Sequence, residues 1–121
     1  MPRTILLVDD DPVTVTTVAE MLRRLRFRVI WESNPSDALA ICQHSAKPFD
    51  LLITDIYMPD MDGWELACSV RAGQPGIPVL YMTGDLGAIK SLIQRKLPCL
   101  YKPFRFAELE TAVLSILGEE A

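Results

Sequence analysis

Phe49-Asp50-Leu51-Leu52-Ile53-Thr54-Asp55 runs directly into Ile56-Tyr57-Met58-Pro59-Asp60-Met61-Asp62-Gly63, and the fold is decided at that junction. The first part is a short apolar run, as in a strand covered on both faces. The second is rich in turn-forming residues. Asp55 therefore sits at the C-terminal tip of a buried strand. An unpaired carboxylate near a core is costly to desolvate, so such a placement is rarely made for stability. Another strand ends the same way, because Ile5-Leu6-Leu7-Val8 leads into Asp9-Asp10-Asp11. Two acid-bearing tips side by side in a parallel sheet make a nest of negative charge. Oxygen ligands in such a nest select a hard cation such as Mg²⁺.

Short apolar segments alternate with longer amphipathic ones along the whole chain. Strands are expected at Thr4–Val8, residues 28–31, 51–54 and 79–82, and Cys99–Tyr101. Asp11 can cap a first helix with Pro12 at its opening position, and Val15, Val18, Leu22 and Leu25 share one face. Ser33 or Asn34 caps a second, opened by Pro35, with Ala38, Ile41 and Cys42 inward. A third follows Asp62-Gly63 and carries Leu66, Ala67 and Val70. A fourth spans about residues 85–96 with Leu86, Ile89 and Ile93 as its stripe. The last spans about residues 105–117 with Leu109, Ala112, Val113, Ile116 and Leu117. Five β–α pairs predict an α/β fold, a doubly wound parallel sheet with helices on both faces. Ligands in such sheets bind outside the C-terminal strand ends, where Asp9, Asp10 and Asp55 would lie.

The chain has 121 residues, which suits one domain, and half of them are apolar. Twelve basic and sixteen acidic residues leave a net charge of −4. That balance argues against a nucleic-acid partner, which needs a basic face to release counterions. The one basic cluster, Arg23, Arg24, Arg26 and Arg28, reads as a cationic helix end matching the dipole. Cys42, Cys68 and Cys99 are odd in number and widely spaced. They fit neither a disulfide framework nor a zinc site, and read as small buried apolar residues. Trp31 and Trp64 read as packing residues, and His44 as a surface residue. No apolar run approaches the roughly 18 residues of a membrane span. With no signal peptide visible at Met1-Pro2-Arg3-Thr4, the expected location is cytoplasmic.

Four motifs converge on one sheet edge: Leu7-Val8-Asp9-Asp10-Asp11, the Asp55 to Gly63 turn, Met82-Thr83-Gly84, and Tyr101-Lys102-Pro103-Phe104. In this order, on five β–α units, they resemble the receiver domain of two-component response regulators along the whole chain. The resemblance implies a flavodoxin-like strand order, 2-1-3-4-5. It implies that Asp55 accepts a phosphoryl group from a histidine kinase or phosphotransfer protein. Asp10 would ligate Mg²⁺ directly and Asp9 through water, with Asp55 and the Tyr57 backbone carbonyl as further ligands. Thr83 would hydrogen-bond a phosphoryl oxygen, Lys102 would pair with the phosphoryl group, and the peptide before Pro103 would be cis. The implied output is a switched contact with a downstream protein, without enzymatic turnover of a separate substrate.

The chain departs from the family at Cys99, where receivers often carry Tyr or Phe. Signalling would then run through the loop 84–87, and out through the fourth helix, fifth strand and fifth helix. Phe104, Phe106 and Tyr81 are candidate apolar contacts on that surface. The last helix is expected to end near Leu117, leaving no output domain, unless the receiver is cut from a hybrid kinase. An Asp-dependent phosphatase would want a second acid where Tyr57 stands. A flavin module would want a phosphate-cradling loop where Asp9-Asp10-Asp11 stands. A degenerate receiver acting only as a binding module would be expected to lose the acid pair, the acceptor or the lysine, and none is lost.

Overall fold

The computed structural model describes residues 2–118. Met1, at the chain start read above for a signal peptide, and residues 119–121 lie outside them. The elements run β1 (Thr4–Val8), α1 (Pro12–Arg24), β2 (Arg28–Glu32), α2 (Pro35–His44), β3 (Leu51–Asp55), α3 (Gly63–Gly73), β4 (Val79–Thr83), α4 (Leu86–Gln94), β5 (Cys99–Tyr101) and α5 (Phe106–Leu117). All five strands are parallel, in the order β2-β1-β3-β4-β5. The fold class and strand order are those expected.

Side-chain alternation along the strands divides the core in two. Leu6, Val8 and Leu52 face Ala38, Leu66, Ile89 and Leu92 on the α2, α3 and α4 side. Ile5, Leu7, Leu51 and Ile53 face Val15, Val18, Leu109 and Val113 on the α1 and α5 side. Every β3 and β4 residue is buried. Full burial of each Leu, Ile or Val contributes about 1.5–3 kcal/mol, so the central strands anchor the sheet.

Local chemistry sets the helix starts. Asp11 caps α1 through Val13 N–H, and Asn34, not Ser33, caps α2 through Ser36 and Asp37 N–H. Asp62 and Glu65 form a reciprocal capping box on α3. Asp60 takes φ 70° in the preceding turn, a conformation that Asp tolerates better than most residues.

Several expectations need correction. The inward residues of α4 are Ala88, Ile89 and Leu92, while Leu86 and Ile93 are 54% and 63% exposed. Apolar residues ring this short helix, so periodicity alone did not select the face. Tyr81 is buried against Trp64, with ring centroids 4.6 Å apart, so it is not an output contact. Cys68 is exposed, and Cys42 and Cys99 are only half-buried. Trp31 is exposed on β2, and Arg28 opens that strand, so only Arg23 and Arg24 lie in the last turn of α1.

Candidate functional site

The register of the sheet assembles the site. Val8 pairs with Thr54, so Asp9 and Asp55 emerge side by side. Thr83 pairs with Tyr101, and Lys102 follows at the same edge. Lys102 N–H donates to the Thr83 carbonyl at 2.8 Å, tying the tips of β4 and β5 together.

One carboxylate oxygen from each of Asp9, Asp10 and Asp55 lies within 4.8 Å of the other two. Asp9 is fully buried, Asp55 nearly so, and Asp10 is exposed. The Lys102 ammonium bridges two of them, 2.6 Å from Asp9 Oδ2 and 3.0 Å from Asp55 Oδ2. The opposite oxygens are fixed by backbone. Asp11 N–H donates to Asp9 Oδ1 at 2.9 Å, and Ile56 N–H donates to Asp55 Oδ1 at 2.7 Å. Thr83 is buried, and its Oγ1 accepts from Asp85 N–H at 3.0 Å. Asp85 in turn caps α4 through Ala88 N–H at 2.8 Å. The Lys102–Pro103 peptide is cis. The Tyr57 ring is 60% exposed at the rim.

Burial is the largest influence on Asp9 and pushes its carboxyl above the ordinary value, against the opposing pull of Lys102 and Asp11 N–H. Burial alone would lower the Lys102 ammonium. The hydrogen bonds and charges of Asp9 and Asp55 outweigh it, so Lys102 is held above the ordinary lysine value. The two partners differ because Asp9 has no exposed surface, whereas the Lys102 side chain is 21% exposed and serves two carboxylates.

This asymmetry gives a pH signature for the metal-free protein. A carboxyl that binds its proton more tightly when folded adds stability below the ordinary aspartate value, about 3.9. That stability is lost as pH rises through the folded value. Asp11 has the opposite sign, because the Thr14 hydroxyl and then Val13 N–H lower its pKa. Its contribution is lost only as pH falls below the ordinary range. Denaturation midpoints without divalent cation should therefore fall as pH rises above 4, and Asp9→Asn should flatten that slope. Equal slopes in the two proteins would show that Asp9 is not its source.

The donor set suits a divalent hard cation. It offers only oxygen, one carboxylate is wholly buried, and a single ammonium offsets three acids. The sequence reading missed Gly63. A Cβ built there would lie 2.2 Å from the Asp55 carbonyl oxygen and 3.0 Å from Ile56 Cα. Its N–H donates to the Ile56 carbonyl at 2.7 Å, which pins α3 to the tip of β3. A glycine directly after a capping Asp, where Pro is favoured, was the available signal.

Known proteins resemble this chain in sequence and fold. The model of the response regulator receiver domain matches residues 5–114. The two-component response regulator ORR21 of Oryza sativa subsp. indica is 32% identical over 109 residues, which is 88% of this chain. The match spans only 16% of that protein's length. The chemotaxis protein CheY4 of Vibrio cholerae superposes with a TM-score of 0.85 at 26% identity, covering 97% of this chain and all of that one. The receiver domain of a sensor histidine kinase from Pseudomonas aeruginosa has a magnesium ion coordinated in its active site cleft. It superposes with a TM-score of 0.82 at 27% identity, over 98% of this chain and all of the other. Fold, tip residues and kinship agree, and this chain belongs to the response regulator receiver domain family.

Proposed function

We propose that this chain is a phosphorelay receiver. Asp55 takes a phosphoryl group from a phosphohistidine of a histidine kinase or phosphotransfer protein, in a Mg²⁺-dependent reaction. The observation that carries this reading is the Lys102 ammonium bridging Asp9 and Asp55 within the three-carboxylate cluster. Phosphoryl transfer asks a protein mainly to position groups and neutralise charge. A bound Mg²⁺, held by Asp9, Asp10, Asp55 and the Tyr57 carbonyl, would neutralise charge on the phosphoryl oxygens. The magnesium in the Pseudomonas aeruginosa neighbour supports that assignment.

The remaining work falls to side chains of this chain. Ile56 N–H holds one oxygen of Asp55, leaving the other toward Lys102. That oxygen bonds to phosphorus while the bond from phosphorus to the donor nitrogen breaks, and the electron pair leaves with the imidazole. Lys102 supplies a compact charge to the incoming group. Thr83 accepts from Asp85 N–H, and its own hydroxyl hydrogen is free to donate to a phosphoryl oxygen. Exposed Ile93 on α4 and Tyr101 on β5 mark the surface whose protein contacts would change. Phe104 instead packs on the α1 and α5 core and Phe106 lies beneath the Arg24 guanidinium of α1, so neither is an output contact.

The test is intact mass after incubation with an acyl-phosphate donor and Mg²⁺. Wild type should gain one phosphoryl group and Asp55→Asn none. A persistent gain in the variant would move the acceptor elsewhere. Mg²⁺ alone should stabilise the protein by about 2.7 kcal/mol at a hundredfold excess over Kd. Thermal melts should show that shift in wild type and much less of it in Asp10→Ala. Equal shifts would put the metal at another place.

A further inference from the structure

One edge of the sheet is open. Among the described residues β2 pairs only with β1. Arg28 N–H donates to the Arg3 carbonyl, and the Glu32 carbonyl accepts from Asp9 N–H. The backbone groups of Arg28, Ile30 and Glu32 therefore point toward β1. By alternation, those of Val29 and Trp31 point outward, where no strand meets them. Protected edges usually carry a proline, a bulge or a central charge. Here the middle of the strand is Val29-Ile30-Trp31, with Ile30 37% and Trp31 38% exposed.

The strand is also self-complementary. Two copies laid antiparallel about a two-fold axis at Ile30 set Val29 opposite Trp31 of the second copy. The same register sets Arg28 opposite Glu32 of the second copy, twice over. Val29 and Trp31 are the residues whose outward N–H and C=O groups can exchange hydrogen bonds, and Ile30 meets its own copy in the close, unbonded pair. Sliding by two residues in either direction puts a charged residue opposite Ile30, so charge selects this one register. Beyond the strand, Arg26 lies before its start and Asp37 in the first turn of α2 after its end. Antiparallel pairing therefore brings a basic end against an acidic one. Neither Arg28 nor Glu32 has an ion-pair partner among the described residues.

We propose that the chain self-associates through β2, joining two five-stranded sheets into one continuous sheet across an isologous interface. Cross-strand aromatic to β-branched contacts and opposed charges stabilise such pairs, and like charges directly opposite destabilise them. The interface lies at the far edge from β5, so it does not depend on the phosphorelay reading.

Sedimentation equilibrium of the full chain, over a range suited to Kd values from about 1 μM to about 1 mM, tests this. A reversible dimer is expected, with amide exchange at Val29 and Trp31 slowing as concentration rises. Arg28→Glu and Glu32→Arg should each weaken it by about tenfold or more. An equimolar mixture of the two variants should recover the wild-type affinity, because every charged position then faces its opposite. A protein that stays monomeric throughout would overturn the proposal. So would a dimer that both charge reversals leave unchanged, or one in which Val29 and Trp31 exchange at a constant rate. The exchange measurement needs only wild type, so it stands even where a variant folds poorly.

Discussion

Gly63→Ala should cost this protein about 3 kcal/mol, the upper end for an overpacked methyl. In a domain of this size that corresponds to a fall in Tm of roughly 15 °C. Two of the atoms the new methyl meets, the Asp55 carbonyl oxygen at 2.2 Å and Ile56 Cα at 3.0 Å, belong to backbone. Relief would have to come from moving the helix or the strand tip, because no flexible side chain can give way. The tip carries Asp55, so the variant should also accept phosphoryl groups poorly. Gly73 provides the control, since nothing lies within 4 Å of its added Cβ. Gly73→Ala should be neutral or slightly stabilising, as Ala is the better helix former. Thermal denaturation of the two variants beside wild type decides the matter. A Gly63→Ala midpoint equal to wild type would show that the helix start can shift at no cost.

Lys102→Met should destabilise the metal-free protein by about 3 kcal/mol, the low end for breaking a buried ion pair. The low end applies because the lysine side chain is 21% exposed and water can partly replace it. The loss arises from what remains, a fully buried Asp9 beside Asp55 with no cation between them. Divalent cation should recover much of it, because the same oxygens are then neutralised in another way. Urea titrations of wild type and variant, with and without Mg²⁺, measure the difference. A deficit of equal size in both conditions would assign the lysine a packing role only.

The strands were legible because burial on both faces leaves an apolar run that needs no periodicity. Each of β3 and β4 was read one residue short, at 54 and at 82. The reading stopped before Asp55 and before Thr83, whereas backbone pairing continues through both. Asp55 and Thr83 thus belong to the strands themselves and inherit their rigidity. The acid cluster was legible because strand tips in a parallel sheet share one edge. The double pairing of Lys102 was not, since its partners lie 93 and 47 residues away. Only the register of five strands brings them together. On α4, Leu86, Ala88, Ile89, Leu92 and Ile93 permit more than one apolar face. The choice depends on how the helix leaves β4, which side-chain spacing does not encode. The missing aromatic at Cys99 has a structural counterpart, since Tyr81 lies directly across from it on β4.

The two tryptophans stand in opposite settings. Trp31 is exposed on the free edge, while half-buried Trp64 lies against the Tyr81 ring with the Arg95 guanidinium 5.0 Å from its own centroid. Indole emission shifts to longer wavelength in water and is altered by a neighbouring cation, so the two rings emit differently. Tyr81 is two residues from Thr83, which makes Trp64 an intrinsic optical probe of motion at the tip of β4. Trp31 plays the same part for events at the β2 edge. Trp64→Phe and Trp31→Phe would each leave a single colour of light, one reporting on phosphorylation and the other on association, with no added label.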